Sequence, residues 1–375
     1  MIYLDNAATV RYVPTEVMRA FVEAVGRKAN AGRGAHRDSA LLGLAIYRVR
    51  EQIKRLVDYP DGEVVFTKNC TEALNLAIGA VEAGAHVVSS VTEHNSVLRP
   101  LHEMARKGRI TLTLVRPSAV DVGVTAAEVE GALTPHTRMV VLNHVSNVTG
   151  IANDVYGVGE VCARHGVTYL VDAAQSLGHT KVSMRRMGCD MLAAPAHKGL
   201  HGLQGVGFLV FNKRVRVRPL LYGGTGTDSL NVYQPLSYPE GLEAGTLDGA
   251  GICALGAGID WTEAHAARIV KREQGVADRL AEGLRAFPAV HVWSGGSGIV
   301  SMYRRGLSSS YVADKLAESG VAVRAGLHCA PLMHRFLGTT AEGTVRFSAG
   351  YVNHMWEVER VLETVAYCLE RQHLS

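Results

Sequence analysis

Short apolar runs alternate with longer amphipathic stretches between about residues 63 and 211. Glu63–Thr67, His86–Ser90, Ile110–Val115, Met139–His144, Thr168–Asp172, Met191–Ala194 and Gly207–Phe211 are predicted strands. Thr71–Val81, Ser96–Lys107, Ala126–Leu133 and Asp154–His165 are predicted helices, the last capped by Asp154. This alternation predicts an α/β fold, a mostly parallel sheet between helices, with ligands at the carboxyl ends of the strands. The C-terminal third changes character. Ile299–Tyr303, Val321–Arg324 and Thr344–Phe347 read as strands around a helix at Tyr311–Ser319, and Asn353 is placed to cap a final helix from Met355 to about Arg371. A smaller α+β C-terminal domain is expected there, which divides the chain into 14–250 and 251–375, with residues 1–13 packing on the second part or bridging the two.

Composition narrows the class. The 375 residues are 47% hydrophobic and 20% charged, as in a globular enzyme, and the forty glycines sit in the βα connections. A formal charge of +4, scattered without a basic run, gives no electrostatic case for nucleic acid. No stretch is long and apolar enough to suggest a membrane span, and Met-Ile-Tyr-Leu-Asp-Asn does not read as a signal peptide. The six cysteines form no C-x-x-C pair, so neither a disulfide framework nor a metal site is expected, and a reducing cytoplasm is the natural setting.

Four motifs then fall at successive predicted strand ends. Pro195-Ala196-His197-Lys198-Gly199 follows an apolar strand, and a lysine there can form a Schiff base if its pKa is depressed. Val171-Asp172-Ala173-Ala174-Gln175-Ser176 delivers a carboxylate to the same edge, where it can keep the pyridine nitrogen of pyridoxal phosphate (PLP) protonated. Lys68-Asn69-Cys70-Thr71-Glu72 lies between a strand and a helix. Its Thr71 offers a hydroxyl and an amide to a phosphate, although a plain helix cap explains the motif equally well. Thr92-Glu93-His94-Asn95-Ser96 supplies a histidine that could lie on a planar cofactor, or be an ordinary loop residue. Each motif alone is weak; their joint placement is not.

These motifs resemble those of the class V aminotransferase family of fold-type I PLP enzymes, within it the cysteine desulfurase and selenocysteine lyase branch. The resemblance extends through Leu4-Asp5-Asn6-Ala7-Ala8-Thr9, Arg33-Gly34-Ala35-His36, Val145-Ser146-Asn147-Val148-Thr149-Gly150, Glu243-Ala244-Gly245-Thr246 and Val345-Arg346-Phe347-Ser348. It implies that the large domain binds PLP, with Lys198 as the Schiff-base lysine, Asp172 on the pyridine nitrogen, Gln175 on the ring oxygen and His94 stacked on the ring. Cys70, Thr71 and His197 would complete the cofactor site, with Thr246 reaching the phosphate from the other subunit of a homodimer. His36, Asn147 and Arg346 would bind substrate, Arg346 by its α-carboxylate. One departure is Pro195, where the family has Ser or Thr as a phosphate ligand; proline has neither hydroxyl nor N–H.

The stretch Arg324-Ala325-Gly326-Leu327-His328-Cys329-Ala330-Pro331 resembles the desulfurase loop, and Cys329 is expected on a mobile loop after a strand. The other five cysteines read as ordinary small hydrophobes with respect to sulfur chemistry. The implied reaction converts L-cysteine to L-alanine, with Cys329 taking the sulfur as a persulfide and passing it to an acceptor protein. Only sixteen residues separate Cys329 from Arg346, which resembles the short-loop second type that also acts on L-selenocysteine or relies on an activating acceptor. The alternatives are a selenocysteine lyase, a C–S β-lyase, an aminotransferase or an epimerase of the same family, all of which would share Lys198 and Asp172.

Overall fold

A computed structural model of the chain describes residues 1–27, 29–31 and 34–371. Its large sheet is built from β2 (Glu63–Thr67), β3 (Ala85–Ser90), β4 (Ile110–Val115), β5 (Thr137–Asn143), β6 (Thr168–Asp172), β7 (Met191–Pro195) and β8 (Gly207–Phe211). β1 (Ile2–Tyr3) lies outside it. The strand order is β2-β8-β7-β6-β5-β3-β4. Only β8 runs against the others, pairing antiparallel with both β2 and β7. β7 and β8 are buried along their whole length, which explains their unbroken apolar runs.

Helices α1 (Thr15–Arg27), α2 (Arg37–Leu56), α3 (Cys70–Ile78), α4 (Asn95–Arg106), α5 (Ala126–Glu130), α6 (Val155–His165) and α7 (Met184–Met187) accompany this sheet. Two apolar cores result. Val171, Leu192 and Phe208 belong to one, Leu74, Leu170 and Leu209 to the other. Asp154 caps α6 as expected, its carboxylate accepting the Gly157 N–H at 2.9 Å. The predicted strands agree with the observed ones to within two residues.

Helix α8 (Gly249–Arg285) is 37 residues long. Its first turns, with Ile252, Leu255 and Ile259, join a core of the large sheet. Its later turns, with Val276, Leu280 and Leu284, join a separate core. Gly258 is required for this placement: a Cβ there would lie 2.4 Å from the Leu200 carbonyl, so only glycine lets α8 press on the segment after Lys198.

The second core is covered by β9 (His291–Ser294), β10 (Ile299–Tyr303), α9 (Ser309–Glu318), β11 (Val321–Ala322), β12 (Arg324–Gly326), α10 (Pro331–Leu337), β13 (Thr344–Ser348) and α11 (Met355–Arg371). The strand expected at Val321–Arg324 is divided. β11 pairs in parallel with β1, whereas β12 pairs antiparallel with β13 in the sheet β12-β13-β10-β9. Ile2 and Leu4 enter the second core, while Val10 and Thr9 bond to the His197 carbonyl, so the N-terminal segment touches both parts. Asn353 does not cap α11 by accepting from it. Its Oδ1 takes the Gly350 N–H at 2.8 Å, and the Glu357 carboxylate accepts the His354 N–H instead. Among the described residues no helix is long and apolar enough to cross a membrane, and no group of three metal-ligating side chains forms.

Candidate active site

The carboxyl ends of β5, β6 and β7 open on a cavity of about 350 Å³. β6 ends on Asp172 and β7 on Pro195, so the turn that follows β7 sets His197 and Lys198 over the same edge. Asp172 is buried, and burial raises its carboxyl above the usual range although Lys198 pulls it down. Its Oδ1 accepts the Ala174 N–H at 2.9 Å and the Cys70 thiol at 3.8 Å. Lys198 is shifted the other way, its ammonium disfavoured by burial and only partly restored by Cys70 and Asp172. A lysine with a lowered pKa beside a buried carboxylate is the arrangement a covalent amine catalyst needs.

The first turn of α3 closes one side of the cavity through Cys70 and Thr71. Asn69 is the cap, its side chain accepting the Glu72 N–H at 3.0 Å, so Thr71 is not the cap. The helix end places positive partial charge at the cavity wall, suited to an anion. Gly207 permits it: a Cβ there would lie 2.4 Å from the Asn69 carbonyl carbon. His94 caps α4, its Nδ1 accepting the Ser96 N–H at 3.1 Å, which leaves the proton on Nε2. Burial first, then Lys198 and Arg346, push its pKa down to about 4, so the ring is neutral near pH 7. Gln175 donates to the Ala7 carbonyl at 3.0 Å, and Pro195 lines the cavity beside Gln204, a residue the motifs did not single out.

The opposite wall comes from the second sheet. Arg346 on β13 is 2% exposed and reaches the cavity from below Asn147. Its Nη1 donates to the Asn147 carbonyl at 3.0 Å and its Nη2 to Asp5 at 3.1 Å, while Nε has no partner among the described residues. Cys329 lies between β12 and α10 and is exposed. A tight turn, not an open loop, holds it. The Ala330 N–H donates to the Leu327 carbonyl at 2.8 Å, and the Asn95 N–H to the Cys329 carbonyl at 2.7 Å. The Asn147 amide donates to the His328 carbonyl, also at 2.7 Å. His328 and Cys329 both adopt positive φ, 47° and 56°, a conformation that costs non-glycine residues about 1 kcal/mol each and needs such pinning. His328 itself is buried, its pKa pushed down to about 2 by burial and then by Arg346.

Two expected site residues, His36 and Thr246, do not line this chain's own cavity. His36 does not reach the cavity: its Nδ1 accepts the Ser39 N–H at 3.4 Å as the cap of α2, so its side chain serves the helix. Arg33 lies outside the described residues. Thr246 is exposed and lines a different opening, with Lys68, Glu72 and Asp248. Sequence reasoning missed Asp5 and Arg324 as partners in the site, because their roles depend on contacts across hundreds of residues.

Comparison with known proteins accords with this geometry. The chain is 34% identical to the "Probable cysteine desulfurase" of Methanothermobacter thermautotrophicus, covering 97% of this chain and 94% of that one. It is 29% identical to the cysteine desulfurase IscS of Escherichia coli, covering 99% and 93%. The apo structure of a cysteine desulfurase from Thermococcus onnurineus superposes with a TM-score of 0.91 at 31% identity, over 98% of this chain and 94% of that one. The cysteine desulfurase CsdA (S-sulfonic acid) of Escherichia coli gives 0.83 at 25% identity, over 98% and 94%. The family model for Aminotransferase class-V matches residues 2–361, and with a lysine, a carboxylate and an arginine gathered on one cavity the chain belongs to that family.

Proposed function

We propose that the protein is a PLP-dependent cysteine desulfurase that converts L-cysteine to L-alanine and carries the sulfur on Cys329. The observation that carries this reading is the exposed Cys329 thiol on the same cavity as Lys198, Asp172 and Arg346. An eliminating lyase, an aminotransferase or an epimerase needs the last three and has no use for a pinned cysteine.

The residues fit the cofactor. His197 Nδ1 and Asn147 Oδ1 are buried beside the cavity without a partner among the described residues, and the α3 N-terminus faces the same space as Asp172. Asp172 would hold the pyridine nitrogen, Thr71 and His197 the phosphate, and Lys198 the aldehyde carbon. Bound PLP supplies a sink for negative charge at the substrate Cα. Arg346 orients the substrate through its α-carboxylate, since its guanidinium lines the cavity and gives only two of its N–H groups to Asn147 and Asp5. Lys198, its proton affinity lowered by burial, takes the α-proton. Cys329 as a thiolate attacks the substrate sulfur: an S–S bond forms, the Cβ–S bond breaks, and its electron pair ends as a C–H bond of alanine.

We place the enzyme in a homodimer, with Thr246 reaching the partner's phosphate site. Supporting this are the exposed apolar side chains Leu221, Tyr222, Leu230, Val232 and Tyr233 in the segment before it. The short span after Cys329 suits delivery to an acceptor protein that comes to the cavity mouth. A reducing cytoplasm would keep the six free thiols available. Incubation with L-cysteine, assaying alanine and protein persulfide separately, tests the activity. Pyruvate and free sulfide without persulfide would overturn it.

A further inference from the structure

Arg324 and Arg346 face each other directly across the antiparallel pair β12–β13, and both line the cavity. Like charges in that position repel, and the cost grows as water is removed. Asp5 resolves the conflict from behind the cavity. Its two oxygens take Nε and Nη2 of Arg324 at 3.0 to 3.2 Å, and its Oδ1 also takes Nη2 of Arg346 at 3.1 Å. The Asp5 segment is fixed by a bridge to Ser348, two residues beyond Arg346 on the same strand. Arg324 is thus neutralised although half exposed, and Arg346, with one N–H given to Asp5 and one to Asn147, still has N–H groups to offer, its Nε–H being without a partner among the described residues. Without Asp5, two cations would face the substrate; with it, one does.

We propose that Asp5 is a specificity-determining positioning residue: by occupying Arg324 and one arm of Arg346 it admits amino acids with a single anionic group and disfavours those with a second acidic group on the side chain. The proposal rests on the reading of Arg346 as the α-carboxylate anchor. It concerns selection among amino acids, so it stands or falls separately from whether Cys329 accepts sulfur. Asp5 does not line the cavity, so its effect is exerted through the two arginines.

The test uses the PLP-loaded enzyme and compares two non-sulfur-donating ligands, L-cysteate and L-alanine, by titrating the cofactor absorbance. In the native protein L-alanine should bind at least as well as L-cysteate. Asp5→Asn should shift the affinity ratio towards L-cysteate by about tenfold, because a freed guanidinium gains a charge-assisted partner. Asp5→Glu, which keeps the charge, should stay near the native ratio. Adding Arg324→Gln to Asp5→Asn should reverse the shift, since Arg324 is the cation that Asp5 releases. A merely structural role would weaken both ligands together, and an unchanged ratio in Asp5→Asn would overturn the proposal. Should Asp5→Asn not fold, Arg324→Gln alone decides it. With no second cation to release, the ratio should then lean further towards L-alanine than in the native protein; a ratio unchanged from native would again overturn it. Failure of the desulfurase reading would show instead as no alanine from L-cysteine in the native enzyme, whatever the ratio.

Discussion

The two walls of the cavity are built differently. Asp172, His197 and Lys198 sit at the ends of adjacent strands of the large sheet, and the backbone that carries them is buried on both faces. Arg346 comes from the smaller sheet and Cys329 from the turn after β12, and both are held in place by hydrogen bonds across the boundary. Asn95 grips the Cys329 carbonyl, and Asn147 grips both the His328 carbonyl and Arg346. Position on the first wall is set by the fold, and on the second by a few polar contacts. The first wall should therefore fail only when its own functional atoms are removed. The second should also fail when a gripping residue is lost.

The largest effect is expected on the first wall. Lys198→Ala should abolish alanine formation and remove the covalent cofactor linkage, while thermal unfolding stays near native because the strand is undisturbed. Borohydride reduction that labels a different lysine would show the site to be misassigned. Cys329→Ala should follow, cutting alanine and persulfide from L-cysteine by on the order of a thousandfold, as loss of a nucleophile does. The cofactor spectrum should not change. Alanine at the native rate would remove Cys329 from the mechanism.

Asn147→Ala sharpens the contrast. It deletes the amide that holds the His328 carbonyl and leaves that acceptor buried, a loss of roughly 1–3 kcal/mol. Turnover should fall roughly tenfold or more while borohydride still traps the Lys198 linkage. If cofactor retention falls in step with turnover, the two walls are not separable in this way.

The smallest effect concerns Glu93, beneath the first wall. Its Oε1 accepts from Ser90 Oγ at 2.6 Å and the Asn143 N–H at 3.0 Å, while Oε2 has no partner among the described residues. Burial raises its pKa to about 8. An acid held neutral in the folded state but ionised in the unfolded one costs no stability below about pH 4.5. It then weakens the fold progressively as pH rises towards 8, with no further change above. Glu93→Gln should remove that slope, so the difference in melting temperature between variant and native protein should grow from pH 5 to pH 8. A constant difference would mean that Glu93 is already ionised in the fold.

The first wall was the legible one. A strand that ends on Asp172, or on Pro195 with His197 and Lys198 following, writes its chemistry into consecutive residues. The position of the cavity then follows from the parallel sheet. Cys329 and Arg346 were legible only through resemblance to a family, because an apolar turn around a cysteine has no physical signature of its own. Asp5 gave no local sign at all, since its partners are at 324 and 346. Helix α8 was hidden for a different reason. Its opening turns hold Gly249, Gly251, Gly256 and Gly258, which lower helix propensity, and these positions are filled by close neighbours rather than by side chains of their own. The cap that His36 makes on α2 was not foreseen, because a histidine that caps a helix and one that meets a ligand look alike in one dimension.

The pairing of β1 with β11 has a consequence for the order of assembly. Ile2 leaves the ribosome more than three hundred residues before Val321, yet the two are register partners. The large sheet is complete once Phe211 has been made, but the Ile2–Tyr3 segment must stay unpaired until residues 321 and 322 emerge. The counter-ion at Asp5 thus meets its arginines only after residues 324 and 346 have been made, and until then the nascent chain holds the first wall of the cavity without the second.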